Sequence, residues 1–154
     1  MSDAAILMAD EDDAAALGRW IADRLRPGDA ITLSGPLGAG KTTLARGILH
    51  GLGLAGEAPS PSFAIVIAYA PPDVRLPLWH VDLYRIEDAD EIAELGLDDA
   101  RSDAALLVEW PERMGAGLWP DALHLTLDIL SDGARRLTWR APAAWDGRWP
   151  QPRF

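Results

Sequence analysis

The sequence predicts an α/β fold: one domain with a mixed, mostly parallel sheet flanked by helices. Three observations carry that expectation. A short apolar run, Ala30-Ile31-Thr32-Leu33-Ser34, leads into the glycine loop Gly35-Pro36-Leu37-Gly38-Ala39-Gly40-Lys41-Thr42, with Thr43 next, and the residues behind the loop repeat with a helical period. Strand, loop and helix in that order form the context in which the spacing G-x-x-x-x-G-K-[ST] cradles phosphate. The features are independent and agree, which a chance glycine-rich connector does not require.

Composition narrows the class. A chain of 154 residues, 49% hydrophobic and 25% charged, can bury a substantial core in a single globular domain. The longest apolar run, Phe63 to Ala70, is far short of the ~18 residues that a membrane-spanning helix needs, so no membrane partner is expected. The N-terminal stretch lacks a basic flank and apolar centre, and the chain has no cysteine, so a cytoplasmic location is expected. A net charge of −10 argues against unaided binding of nucleic acid, so any role on RNA should run through a partner.

Taken in order, the acids Asp10 to Asp13 stand where a helix N-terminus favours them, and Leu17, Trp20, Ile21 and Leu25 then repeat on one face until Pro27-Gly28. That stripe reads as a helix covering the sheet, with a base-holding role as the alternative. The 30–34 run, β-branched and without helical period, suits a strand buried on both faces. In the loop that follows, Leu37, Gly38, Ala39, Gly40 and Thr43 present backbone N–H groups to phosphate. Lys41 reaches the β- and γ-phosphates, and the Thr42 hydroxyl is a Mg²⁺ ligand. Leu44, Ile48, Leu49 and Leu52 form one helical face, and Gly53 stands where helices commonly end.

The glycine- and proline-containing stretch to Ser60-Pro61-Ser62-Phe63 stands where a nucleotide-sensing switch would, with Ser60 and Ser62 as its hydroxyls; an ordinary turn is the alternative. Phe63 to Tyr69 and Leu78 to Val81 read as strands that can pair as a hairpin. The second runs into Asp82-Leu83-Tyr84-Arg85, and an acid at the end of an apolar strand is where such enzymes hold Mg²⁺ or orient the nucleophile. Asp82 is thus the first carboxylate candidate, while His80 reads first as a structural histidine. Between Glu87 and Asp103 eight acids stand against one arginine, with a short helix capped by Asp88 and stopped at Gly96. This run reads as a solvated face, or as a docking patch for a basic partner. Ala104 to Val108 is a further strand, ending in Glu109-Trp110-Pro111, so Glu109 is the second carboxylate candidate, with a strand-end glutamate facing solvent as the alternative. Leu123 to Leu130 and Leu137 to Arg140 read as an edge hairpin around Ser131-Asp132-Gly133, with Arg135 and Arg136 read first as surface residues and, as the alternative, as contacts to nucleotide phosphate or base. The domain is expected to span 1–140, followed by an irregular or disordered tail over 141–154.

Taken together, the loop from Gly35 to Thr43, Ser60-Pro61-Ser62-Phe63, His80-Val81-Asp82-Leu83-Tyr84-Arg85 and Val108-Glu109-Trp110-Pro111 resemble the TsaE (YjeE) family of bacterial P-loop ATPases, in order and spacing across roughly residues 10 to 140. The resemblance implies an ATPase working with the TsaD and TsaB proteins to make threonylcarbamoyladenosine at the adenosine following the anticodon of tRNAs, with tRNA met only through that complex. It further implies ATP and Mg²⁺ as cofactors, Lys41, Asp82 and Glu109 as the catalytic set, and Thr42, Glu109 and Asp82 around the metal. By the same resemblance Glu11 lies near the adenine, Arg135 matches the arginine after the late turn, and Ser60, Ser62, Tyr84 and Arg85 form the switch. Ser62 departs from the family's usual threonine but keeps the hydroxyl. No Asn-Lys-x-Asp guanine-reading motif occurs, which favours ATP over GTP. Two other readings stay open at this level: a small-metabolite kinase with Asp82 as base, and an ATP-gated binding module whose hydrolysis is incidental.

Overall fold

The computed structural model describes residues 5–61 and 65–149. Its seven strands form one sheet: β1 (Ile6–Met8), β2 (Ala30–Ser34), β3 (Val66–Tyr69), β4 (Leu78–Asp82), β5 (Ala105–Glu109), β6 (Leu123–Ile129) and β7 (Arg135–Arg140), in the spatial order β1-β7-β6-β2-β5-β4-β3. The four central strands, β6, β2, β5 and β4, run parallel, while β7, β1 and β3 attach by antiparallel pairing. Both expected hairpins form. The later one is not itself the edge, because β1 pairs along the outside of β7.

One face of the sheet carries α1 (Glu11–Ala22) and α2 (Lys41–Gly51). Asp10 caps α1 by accepting from the Asp13 N–H, and the helix ends at Ala22, sooner than the hydrophobic repeat implies; Leu25 still buries itself from the turn beyond. The two helices cross closely. A Cβ added at Gly18 would lie 2.4 Å from the Gly47 carbonyl carbon, a distance backbone atoms do not tolerate, so only glycine fits there. Leu17, Ile21, Leu44, Ile48 and Leu49 fill the space beneath, against Ile31, Leu33, Leu107 and Leu125 of the strands.

The opposite face is covered by shorter pieces: α3 (Ala89–Glu94), α4 (Leu97–Ala100) and a 3-10 helix (Pro111–Gly117). The acidic stretch therefore forms two helical pieces divided at Gly96. Residues 141–149, read as part of an irregular or disordered tail, are irregular apart from a 3-10 turn at Ala143–Trp145 but well packed. Trp145 and Trp149 are buried, Trp149 meets the Trp20 and Trp139 rings edge-on, and Arg148 pairs with Asp29 at 2.6 Å.

Candidate active site

The site sits at the C-terminal ends of the parallel strands, where a phosphate loop must lie if a strand feeds it and a helix leaves it. β2 delivers the loop and Gly40 opens α2 with φ of 101°, a left-handed conformation that a residue with a Cβ disfavours. Lys41 is the first residue of that helix. Its buried ammonium donates to the carbonyls of Gly35 and Pro36 and lies 4.2 Å from the centre of the Trp110 ring. Burial pulls the Lys41 pKa below its ordinary value, against the opposing pull of Glu109, Glu112 and Asp82.

The two carboxylates stand side by side because β4 and β5 are parallel neighbours in the register Asp82 opposite Glu109. Both are buried. Glu109 accepts from the Thr42 hydroxyl at 2.9 and 3.2 Å and from His80 Nε2 at 2.7 Å. Asp82 accepts the Tyr84 N–H at 2.9 Å, which bends the chain as it leaves β4. Lys41, Thr42, Thr43, Asp82, Glu109 and Trp110 thus line one cavity of about 240 Å³ against the glycine loop. Two non-glycine residues among those described have positive φ, Ile65 at 67° and Trp110 at 60°, and each adjoins a carboxylate. Trp110 follows Glu109, and the Ile65 carbonyl accepts the Asp82 N–H at 2.8 Å. Backbone held in that region usually marks a functional constraint.

On the other side of the loop a second cavity of about 260 Å³ brings Glu11 together with Gly38, Ala39, Gly40, Thr43 and Arg135. The short strand β1 makes this possible, since its pairing with β7 sets the start of α1 beside the loop. Arg135 grips the loop itself, donating to the carbonyls of Ala39 and Gly38 at 3.1 Å each and to that of Gly133. Leu37 projects from the loop into solvent.

Tyr84 lies 4.8 Å, ring to ring, from Trp110, and Arg85 is exposed beside it. Ser60 is partly buried at the end of a loop that Arg46 ties to α2 through the Ala58 carbonyl, and Ser62 lies outside the described residues. Arg136 stands 3.9 Å from Asp128 on the strand surface. Two residues gain a place here that motif reading did not assign them. His80 is fully buried with its Nε2 on Glu109, its Nδ1 having no partner among the described residues, and Trp110 covers Lys41. His80's position two residues before Asp82, on the same strand face, was the signal available.

Thr42, Asp82 and Glu109 offer oxygen donors only, the chemistry a hard divalent cation prefers. No group of three or more His, Cys, Asp or Glu side chains able to hold a metal occurs among the described residues. No helix among the described residues is long and apolar enough to cross a membrane.

Known proteins resemble this chain over most of its length. A protein of Streptomyces coelicolor named tRNA threonylcarbamoyladenosine biosynthesis protein TsaE is 46% identical over 113 residues, which cover 73% of this chain and 76% of that one. Its namesake from Bacillus subtilis is 37% identical over 131 residues, 84% of this chain and 80% of the relative. The crystal structure of Bacillus subtilis YdiB superposes with a TM-score of 0.73 at 30% identity, covering 90% of this chain and 84% of that one. The family model described as threonylcarbamoyl adenosine biosynthesis protein TsaE matches residues 8–137, from β1 into β7, so the chain belongs to the TsaE family of tRNA threonylcarbamoyladenosine biosynthesis.

Proposed function

We propose that this chain is a Mg²⁺-dependent ATPase subunit that works in the cytoplasm with the TsaD and TsaB proteins to transfer the threonylcarbamoyl group to the adenosine following the anticodon. The observation that carries the hydrolytic part is the single cavity uniting Lys41, Thr42, Asp82 and Glu109. In this reading Lys41 leaves the Gly35 and Pro36 carbonyls for the β- and γ-phosphates, and the loop N–H groups supply fixed dipoles where negative charge develops. Thr42 and Glu109 would hold Mg²⁺, which when bound supplies positive charge across the phosphate oxygens. Asp82 orients the attacking water. The cavity bounded by Glu11 and Arg135 takes the adenosine end of ATP.

Arg135 bears on the alternatives. Small-molecule kinases commonly close an arginine-bearing lid over the phosphates, whereas Arg135 is spent on the loop's own carbonyls. Hydrolysis coupled to a partner needs no such lid. The test is phosphate release from Mg·ATP by the purified chain, alone and with the TsaB–TsaD pair. Slow release, raised by the pair and cut about a hundredfold or more by Lys41→Ala, is expected. Unchanged release from Lys41→Ala sinks the mechanism, and a phosphorylated small molecule in place of free phosphate favours a kinase.

A further inference from the structure

A mainly apolar cleft lies away from the nucleotide cavities. It has a volume of about 510 Å³ and opens between α3, α4 and the 3-10 helix. Leu97, Met114 and Trp119 form its floor, and Ile92 and Ala93 of α3 its accessible wall. Asp98 and Asp99 stand at its rim. Asp98 accepts from the Trp119 indole N–H at 2.6 Å, which fixes the floor's largest ring.

Two further observations say what covers this cleft. First, α3 has a well-made N-cap, with Asp88 accepting from the Asp90 and Glu91 N–H groups, yet none of its side chains is buried. A six-residue helix has little stability of its own and normally forms because one face packs. Here Ile92 and Leu95 pack only in part on the core beneath, and Ala89 and Ala93 stay exposed along the cleft that they line with Ile92. Second, the charged residues that line the cleft, Asp98 and Asp99, are both acidic, while Arg113 of the neighbouring 3-10 helix is turned to the Tyr84 ring, 5.9 Å from its centre. Eight acids lie between Glu87 and Asp103, and the one arginine there, Arg101, is engaged with the Gly28 carbonyl and with Asp121 at 2.8 Å. An acidic rim around an apolar floor suits a cationic amphipathic segment. It disfavours RNA, and it disfavours a second copy of this chain, whose net charge is −10.

The walls of the cleft are also the direct continuations of the two catalytic strands. β4 ends at Asp82 and passes through Tyr84 and Arg85 into α3, and β5 ends at Glu109 and passes through Trp110 into the 3-10 helix. The two connectors touch, with the Tyr84 and Trp110 rings 4.8 Å apart and Trp110 covering Lys41. We infer that this cleft is the docking site for a basic amphipathic segment of the protein partner, and that its occupation steadies the segments leaving Asp82 and Glu109. The inference rests on the partner-coupled ATPase reading and gives that coupling a location.

Ala93 and Asp99 are both exposed and touch neither nucleotide cavity, so they permit a test that leaves ATP binding intact. Binding of the TsaB–TsaD pair to the full-length chain with Mg·ATP is titrated for the unaltered protein, for Ala93→Trp, which fills the cleft, and for Asp99→Lys, which reverses a rim charge. Thermal unfolding and affinity for a fluorescent ATP analogue are measured alongside. The expected result is affinity for the pair roughly tenfold or more weaker in both variants, with folding and nucleotide affinity unchanged, and a salt dependence shallower in Asp99→Lys than in the unaltered chain. Tight binding by the unaltered chain and equally tight binding by both variants overturns the cleft's role while leaving the partnership standing. No binding by the unaltered chain sinks both. Self-association of the chain alone that Ala93→Trp abolishes would assign the cleft to a second copy instead, and transfer of its affinity to isolated tRNA would assign it to RNA.

Discussion

The two faces of the sheet are built to different weights. Under α1 and α2 the cluster is continuous, running from Met8 on β1 to Leu78 on β4 and closed at one end by Trp145 and Trp149. Under α3, α4 and the 3-10 helix the cluster is smaller, centred on Val81, Leu83, Leu106, Val108 and Trp119. Beyond those short elements the same face is open, with Thr32, His124, Thr126, Thr138 and Arg140 lining, together with Leu118 and Trp139, a hollow of about 360 Å³. The glycine loop is anchored on the heavy side, because it leads into α2 and α2 is locked to α1. The connectors that follow Asp82 and Glu109 run onto the light side. In the proposed ATPase the loop would be a grip that keeps its shape and the connectors a reporter that can change, and the larger and smaller core clusters lie on the sides that this division requires.

The largest effect expected from this difference is on stability. Leu17→Ala empties a fully buried position between α1 and the sheet and should cost about 2–5 kcal/mol, whereas Ile92→Ala on the light side should cost about 1 kcal/mol or less. Denaturant midpoints of the two variants measure the contrast directly. Equal losses would mean that the two faces are equally consolidated and that the division between grip and reporter is wrong.

A smaller effect is expected where the two sides meet, at Glu109. Glu109→Ala leaves His80 Nε2 without its acceptor in a fully buried place, which should cost about 1–3 kcal/mol. Glu109→Gln keeps an oxygen for His80 or Thr42 and should lose less stability, yet it removes the charge that the proposed Mg²⁺ site would use, so on the proposed mechanism phosphate release should fall as far as in Glu109→Ala. Equal stability of the Ala and Gln variants would show that the His80 hydrogen bond contributes little.

The parts of the site legible in the sequence are those with local signatures. The loop from Gly35 to Thr43 and the strand-end acids Asp82 and Glu109 stand out because a short apolar run ending in an acid needs no knowledge of neighbours. What joins them does need it. The contact of His80 with Glu109 depends on β4 lying beside β5 in one particular register, and nothing within β4 specifies that. β1 is three residues long, too short for its alternation to register, and is held by pairing with β7, although it is what brings Glu11 to the loop. The family resemblance offers Arg135 as a nucleotide contact, but its use as a clamp on loop carbonyls follows from the turn geometry of a hairpin ninety-odd positions away. Trp145 and Trp149 have no period to read because irregular backbone packs by shape, ring against ring.

The smallest expected effect probes the open end of the light face. The Thr32 hydroxyl and His124 Nδ1 lie 2.7 Å apart on paired positions of β2 and β6. Burial pushes the His124 pKa below its ordinary value of 6.5, and Arg140 pushes the same way. The folded state therefore binds a proton at His124 more weakly than the unfolded chain does. Its contribution to stability is fully present above pH 6.5 and is lost as the pH falls through that value toward the folded pKa. A His124→Gln variant has no such proton to refuse. The stability difference between the two proteins, read from thermal unfolding at pH 7.5 and at pH 5.5, should thus narrow as the pH falls. A difference that stays constant would mean that water already solvates His124 in the fold, and the light face would then be more open than its geometry implies.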